Sequence, residues 1–356
     1  MGALRFLLAM SVLAAHLAFY PAGLPHPLNP DVAVQGFYIV SGFLITLVLH
    51  EKYSGSLWLF YSNRALRIFP IYWATMILYL IVDVLVDTRT ITAAPAGLEA
   101  YRLPTVTSWV AQNGSALGPT SIISLVLTNT FIFGQDFLAL IRKDGTFSTT
   151  PDLFYHLFIV IRVAWTLAIE LGFYLIAPFV VRRVRSIAWL MATSLLAQVI
   201  FHKVSPLDPG WYSRIFPFAL AWFMAGALAY HGYVRLRPHC KGPAVRRYAI
   251  AATVALALAT LAYPWLPLAR PLYLGVVALC LPGVVLLGRS NPLDKVLGDL
   301  SYPVYLIHPM FQIVILPTPQ VVPVVLSLGL AYLLTVLLEK PLDLYRQSRV
   351  LPRAAE

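Results

Sequence analysis

Residues 1–20 of the chain read MGALRFLLAMSVLAAHLAFY, an apolar stretch interrupted by Arg5 and His16. At 100° per residue, eleven positions return to the same side of a helix, so both side chains share one face about 16 Å apart. A charged group at the bilayer centre costs about 2.5–3.5 kcal/mol and marks a functional site by default. Imidazole is also suited to proton transfer near neutral pH. We therefore predict a membrane helix with His16 as a candidate catalytic base.

Two simpler interpretations of this stretch stay open at this point. His16 could be a structural histidine that is hydrogen-bonded to a neighbouring helix. The stretch could also be a cleaved signal peptide, with Arg5 in its basic region and residues 7–15 as its apolar region. The second interpretation is disfavoured because the chain that follows itself consists of membrane segments throughout.

The composition indicates a polytopic membrane protein. Of the 356 residues, 59% are hydrophobic and 12% are charged, with a mean hydropathy of +0.76; soluble domains carry about 25% charged residues. The net charge of +11 does not indicate nucleic-acid binding, because the basic residues lie between apolar segments, as in cytoplasmic loops. Cys240 and Cys280 form no disulfide framework and match no metal-binding spacing. We expect a lipid bilayer as a partner, and neither a nucleic acid nor a metal.

The predicted fold is an all-α helical bundle with about ten transmembrane helices and one re-entrant or surface segment at 121–139. Counting lysine and arginine by the positive-inside rule favours ten spans with both termini in the cytoplasm. Residues 1–346 are predicted to form a single membrane domain and 347–356 a short cytoplasmic tail, while 87–159 is a candidate lid on the outer side. The predicted spans are 4–20, 32–49, 68–86, 160–181, 187–204, 215–230, 248–266, 271–288, 300–316 and 321–338.

Small and basic residues in the next two segments suggest helix packing and anion binding. Ser41 lies in the run Ser-Gly-Phe-Leu between Gly36 and Leu44, where small residues let another helix approach closely. Ser41 lacks the elbow motif of a nucleophilic serine. Arg64 and Arg67 are three residues apart and share a helix face. They are either topological flanking charges or a clamp for a phosphorylated cytosolic ligand.

Polar residues in two later spans are further candidates. Glu170 follows Trp165 by five positions within an apolar segment, and a buried carboxylate there needs a cationic or hydrogen-bonding partner. It is either a structural partner of an arginine or a group that orients His16 or contacts the acceptor. Tyr302 and His308 belong to a polar stripe, which either forms hydrogen bonds between helices or contains a second histidine that transfers protons. Glu339 is most simply an interfacial charge.

Six motifs in this order resemble acyltransferase family 3, the bacterial membrane O-acyltransferases that modify surface polysaccharide and lipopolysaccharide. They are Arg5 to His16, Phe37 to Leu44, Arg64 to Arg67, Trp165-Thr166 to Glu170, Ser301-Tyr302 to His308, and Glu339-Lys340-Pro341.

The resemblance implies roles for these residues. His16 and Glu170 are the expected catalytic residues, and Arg5, Arg64 and Arg67 the expected acyl-donor residues. The expected support residues are Ser41, Trp165, Tyr302 and His308.

The function that this resemblance implies is transfer of an acyl group, by default acetyl, from cytosolic acyl-CoA to a hydroxyl of an exported glycan or glycolipid. The expected location is the bacterial cytoplasmic (inner) membrane. Neutral His16 would act as general base, although an acyl-histidine intermediate is equally compatible with the sequence. The alternatives from other classes are a transporter or flippase of lipid-linked glycans, which the lack of repeated halves disfavours, and a sensor that binds the donor without turnover.

Overall fold

The computed structural model describes residues 1–17, 28–53, 55–87, 105–142, 155–204, 214–265, 270–288, 291–313 and 321–350. These residues form an α-helical bundle without a β-strand. Its helices are α1 (Gly2–His16), α2 (Pro30–Glu51), α3 (Leu57–Asp87), α4 (Val106–Asn113), α5 (Pro119–Phe131), α6 (Trp165–Val180), α7 (Val184–Val204), α8 (Phe216–Leu236), α9 (Pro243–Ala262), α10 (Arg270–Gly288), α11 (Pro292–Ile307), α12 (Met310–Ile313), α13 (Val321–Leu334) and α14 (Lys340–Ser348).

Six helices of the described residues are long and apolar enough to cross a membrane, namely α2, α3, α7, α9, α10 and the continuous α13–α14. Two shorter apolar helices, α1 and α6, have 15 and 16 residues. At 1.5 Å per residue α1 is about 22 Å long, which is less than the roughly 30 Å hydrocarbon core. Every predicted span overlaps one of the helices above, but the number ten and the cytoplasmic location of the termini remain predictions.

Helices α1 and α11 run parallel and in register. The Asp294 carboxylate accepts hydrogen bonds from the backbone N–H groups of Gly2 and Ala3, at 2.8 and 2.9 Å, and so caps the start of α1. A Cβ atom on Gly2 would lie 1.7 Å from the Asp294 carbonyl oxygen, so only glycine permits this approach. Fourteen residues further along each helix, His16 meets His308. Within the predicted first span, 4–20, helix α1 ends at His16, and residues 18–20 lie outside the described residues.

Glycines bring α2 close to its neighbours, as predicted. A Cβ on Gly42 would lie 2.0 Å from the carbonyl oxygen of Phe223 in α8, and one on Gly226 would lie 1.8 Å from that of Ile39. A Cβ on Gly36 would lie 3.1 Å from the Leu8 side chain of α1. These contacts place the middle of α2 between α1 and α8, where Ser41 points into the bundle interior.

Helix α5 ends beside the middle of α3 instead of continuing. The Tyr72 hydroxyl donates a hydrogen bond to the Asn129 carbonyl, and the Trp73 indole N–H donates to that of Thr130. Ile132 then adopts a φ of 71°, a strained conformation for a β-branched residue, and ends the helix. The predicted segment 121–139 is thus a 13-residue helix followed by turns, with its polar backbone bonded by α3.

Helices α13 and α14 join through a π-helical turn, Thr335–Glu339. Pro341 lacks the N–H that would bond the carbonyl four residues earlier, and its ring crowds that carbonyl. A π turn at this point accommodates both the missing hydrogen bond and the bulk of the proline ring. As a result, Glu339 faces the bundle, and α14 continues along α3, where Arg349 donates hydrogen bonds to Asn63 and Ser62.

Candidate functional site

A cavity of about 550 Å³ lies between α1, α2, α3, α6, α11 and α14. Its lining follows α2 from Val34 to Lys52, a distance of roughly 27 Å at 1.5 Å per residue. We call the part around Lys52, Arg64 and Arg346 the basic end and the part around Tyr38 and Tyr305 the tyrosine end. The volume is in the range of about 300–1,000 Å³ that is usual for small-molecule sites.

The basic end concentrates positive charge. The cavity is lined by five basic side chains, Arg5, Lys52, Arg64, Arg67 and Arg346, and by three acidic ones, Glu170, Asp299 and Asp343. Both members of the predicted Arg64–Arg67 pair face the cavity, which confirms that they share a helix face. The resulting field attracts an anionic ligand.

The arginines of the basic end differ in their partners. Arg67 forms an ion pair with Glu339 at 3.4 Å, and Arg346 forms one with Asp343 at 2.5 Å. Among the described residues, Arg5 and Arg64 have no side-chain hydrogen bond or ion pair, and the buried Nε of Arg64 lacks an acceptor. Guanidinium groups in this state can bind a phosphate with two parallel hydrogen bonds.

Glu170 lies halfway along the cavity and has hydroxyl partners. Its Oε1 atom accepts hydrogen bonds from the Ser41 hydroxyl and the Tyr174 hydroxyl, both at 2.6 Å. This satisfies the predicted need for a hydrogen-bonding partner. The expectation that Glu170 orients His16 is not met in this structure, because the hydrogen-bond partner of the His16 ring is His308.

The tyrosine end leads towards the histidines. The hydroxyls of Tyr305 and Thr166 are 3.0 Å apart, and the Tyr305 ring packs edge-on against Phe37 and His308, with centroids 5.8 and 5.9 Å apart. Tyr302, which precedes Tyr305 by three residues on α11, donates a hydrogen bond to the Ile68 carbonyl of α3 at 2.9 Å. The polar stripe of α11 therefore joins the cavity wall to the neighbouring helices.

His16 and His308 form a hydrogen-bonded pair behind Tyr305. The His16 Nδ1 and His308 Nε2 atoms are 2.8 Å apart, and the two rings stack at a centroid distance of 5.1 Å. His308 is fully buried, whereas His16 is partly exposed. His16 does not line the cavity itself. It lies at the end of α1 and contacts His308, which packs against the cavity-lining Tyr305.

Trp165 marks the start of α6 and is covered by a cation. The Arg214 guanidinium carbon lies 4.5 Å from the Trp165 ring centroid, a cation–π distance. Trp165 is buried and does not line the cavity.

Four residues of the site were absent from the sequence prediction or were misinterpreted there. Glu339 is not an interfacial charge, because it is 4% exposed and paired with Arg67. Tyr174 follows Glu170 by one helix turn, a spacing that could have identified it. Neither Arg346 nor Tyr305 was given a functional role from the sequence, and both line the cavity. No group of three or more metal-ligating side chains occurs in the part of the chain that the structure describes.

Comparison with known proteins identifies the family. A family model described as an acyltransferase domain, that of acyltransferase family 3, matches residues 1–339. Neither the curated proteins nor the solved structures contain a match to the chain. The match covers α1 to the π turn and therefore nearly all of the cavity wall except α14. The chain belongs to acyltransferase family 3, and it is a helical membrane protein of an acyl-transferring enzyme family.

Proposed function

We propose that this protein is a membrane O-acyltransferase that moves an acyl group, most simply acetyl, from acyl-CoA to a hydroxyl of an exported or surface carbohydrate. The observation that carries this proposal is the cavity. At one end it has the guanidinium groups of Arg5 and Arg64, which have no ion pair among the described residues, and the His16–His308 pair lies just beyond the other end. An acyl thioester with a phosphorylated carrier matches this polarity, because its charge and its reactive carbon are at opposite ends.

The donor is proposed to enter from the basic end. The positive-inside prediction assigns this end to the cytoplasm, where acyl-CoA is made. Its phosphates would bind Arg5 and Arg64, with Arg67 and Arg346 close by. The thioester arm would then extend past Glu170 towards Tyr305. The length of roughly 27 Å along α2 suits an elongated ligand of this kind.

At the tyrosine end, His16 is proposed to act as general base. The neutral imidazole accepts the proton of the acceptor hydroxyl while the oxygen attacks the thioester carbonyl. A carbon–oxygen bond forms, the carbon–sulfur bond breaks, and the thiolate takes the proton from His16. His16 is regenerated, so that the products are an ester and free CoA thiol. The partly exposed position of His16 at the end of α1 leaves it open to an acceptor from the opposite face.

A thiol-release assay tests the proposal. Protein purified in nanodiscs is given acetyl-CoA with and without a glycan acceptor, and free thiol and acylated glycan are measured. We expect thiol release that depends on the acceptor and disappears in His16→Ala. His239→Ala, an exposed histidine outside the cavity, serves as the matched control and should retain activity. Full activity of His16→Ala would refute the assignment of the base.

The same assay separates the alternatives. A flippase would move lipid-linked glycan without releasing thiol. A donor sensor would bind acetyl-CoA independently of His16 and release no thiol. The acyl group and the acceptor follow from the glycan mass of a deletion strain, because the mass lost identifies the group. Fractionation of the producing bacterium tests the proposed location in the cytoplasmic membrane.

A further inference from the structure

The hydrogen bonds around His308 determine which of its nitrogens carries the proton. The His308 Nδ1 atom lies 3.2 Å from the Val304 carbonyl oxygen, and a carbonyl can only accept a hydrogen bond. Nδ1 of His308 is therefore the protonated nitrogen. In the neutral ring the other nitrogen, Nε2, is then an acceptor.

This determines the tautomer of His16 as well. The His16 Nδ1 atom is 2.8 Å from the His308 Nε2 atom, and since His308 Nε2 accepts, His16 Nδ1 must donate. The lone pair of neutral His16 is consequently on Nε2. A histidine in water does not hold a single tautomer, whereas a hydrogen bond to one nitrogen selects the form in which the other is unprotonated.

Contacts at the start and at the end of α1 hold the His16–His308 pair in position. Asp294 caps α1 at its first turn, and the same register brings His16 level with His308 fourteen residues later. The Gln312 side chain donates a hydrogen bond to the His16 carbonyl at 2.9 Å. The rings also stack, with an angle of 23° between their planes. The position of His16 is thus set from α1, α11 and α12.

We propose that His308 is a positioning residue that holds His16 in the tautomer with Nε2 unprotonated, ready to accept the proton of the acceptor hydroxyl. This inference rests on the proposed function. When Nε2 takes the proton, the His16 imidazolium keeps its Nδ1–H bond to His308. The new charge lies where the carboxyl ends of α1 and α11 converge, and helix carboxyl ends stabilise cations.

A pair of variants of equal side-chain length tests the role of the acceptor atom. His308→Gln keeps an oxygen that can accept from His16 Nδ1, whereas His308→Met has nearly the same shape with only a weak sulfur acceptor. We expect kcat of the methionine variant to fall by at least about tenfold, and by less than the 10²–10⁴ of a lost general base, because a mixed tautomer leaves part of the His16 population competent. The glutamine variant should recover most of this loss and lie within about threefold of the wild type. The KM for the acyl donor should change in neither, because the basic end is untouched.

A spectroscopic measurement keeps the inference separate from the proposed reaction. In protein labelled with nitrogen-15 histidine, the two ring nitrogens report the tautomer, and the His16 signals are assigned by their loss in His16→Ala. We expect protonated Nδ1 and unprotonated Nε2 in the wild type, retained in His308→Gln and mixed in His308→Met. A wild-type His16 protonated on Nε2, or equal kcat values for the two variants, would overturn the inference. If the tautomer is as stated but no acceptor is acylated, the proposed function fails instead.

Discussion

Removing the charge of Arg64 should weaken donor binding without weakening the fold. Arg64 lines the basic end and its buried Nε has no acceptor among the described residues. It also interacts electrostatically with the like charge of Arg346. In Arg64→Gln this repulsion is relieved and no native ion pair of the described residues is broken. We therefore expect the thermal stability of the variant to equal or exceed that of the wild type.

The size of the binding loss follows from the hydrogen bonds at stake. A hydrogen bond that involves a charged group contributes about 1.5–3 kcal/mol, and 1.4 kcal/mol corresponds to a tenfold change in Kd. We therefore expect the Kd for acetyl-CoA to rise about 10- to 150-fold in Arg64→Gln, and the KM for the glycan acceptor to change by less than about threefold. Only the affinity for the donor should fall, because the acceptor is proposed to reach His16 from the opposite face.

The assay compares two donors in a double-mutant cycle. Wild type and Arg64→Gln are each titrated with acetyl-CoA and with acetyl-dephospho-CoA, which lacks the 3′-phosphate. If Arg64 binds that phosphate, the variant loses affinity only for acetyl-CoA; if it binds the diphosphate, it loses affinity for both donors. Arg237→Gln is the control, since Arg237 pairs with Glu51 at 2.6 Å outside the cavity.

An unchanged Kd for both donors, or equal losses for donor and acceptor, would refute the assignment of the basic end. Arg64 would then be a topological flanking charge.

Two further predictions concern the stability of the fold. Gly226→Ala should lower the melting temperature, because its Cβ would lie 1.8 Å from the Ile39 carbonyl oxygen and overpacking costs about 1–3 kcal/mol. The control Gly275→Ala should leave the melting temperature unchanged, because a Cβ there would meet nothing within 4 Å. Equal melting temperatures of the two variants would contradict the close packing of α2 and α8. Burial, with the charges of Arg214 and Arg162, lowers the pKa of His156, between α5 and α6, to about 3. As the pH falls, His156 therefore binds a proton in the unfolded chain before it does so in the folded protein. Between pH 7.5 and 5.5 the free energy of unfolding of the wild type should fall by about 1.4 kcal/mol more than that of His156→Gln. Identical pH profiles of the melting temperatures would show that His156 is not buried in its neutral form.

The local patterns of the sequence predicted much of the site. Helix periodicity placed Arg64 and Arg67 on one face, and both line the cavity. The cost of an unsatisfied carboxylate predicted that Glu170 has a partner, and it has two hydroxyl partners. Such predictions succeed because residues three to five positions apart have distances set by the helix itself.

Contacts between residues that are far apart in the sequence could not be predicted from these local patterns. Glu339 was interpreted as an interfacial charge because nothing near it in the chain indicates Arg67. The two residues meet only because the π turn packs against α3. Arg346 likewise enters the site only because α14 continues along α3. The order of the helices is encoded locally, but their relative rotation depends on side-chain contacts that a single sequence does not display.

The chain's apolar composition, its ordered motifs and its basic residues were enough to predict a helical membrane protein of acyltransferase family 3, because hydrophobicity and helix geometry act over a few turns. Three-dimensional packing was needed to bring His16 and His308, 292 positions apart, to within one hydrogen bond. That pairing depends on the register between α1 and α11, which is set by the close contact of Gly2 with Asp294 at the other end of the helices.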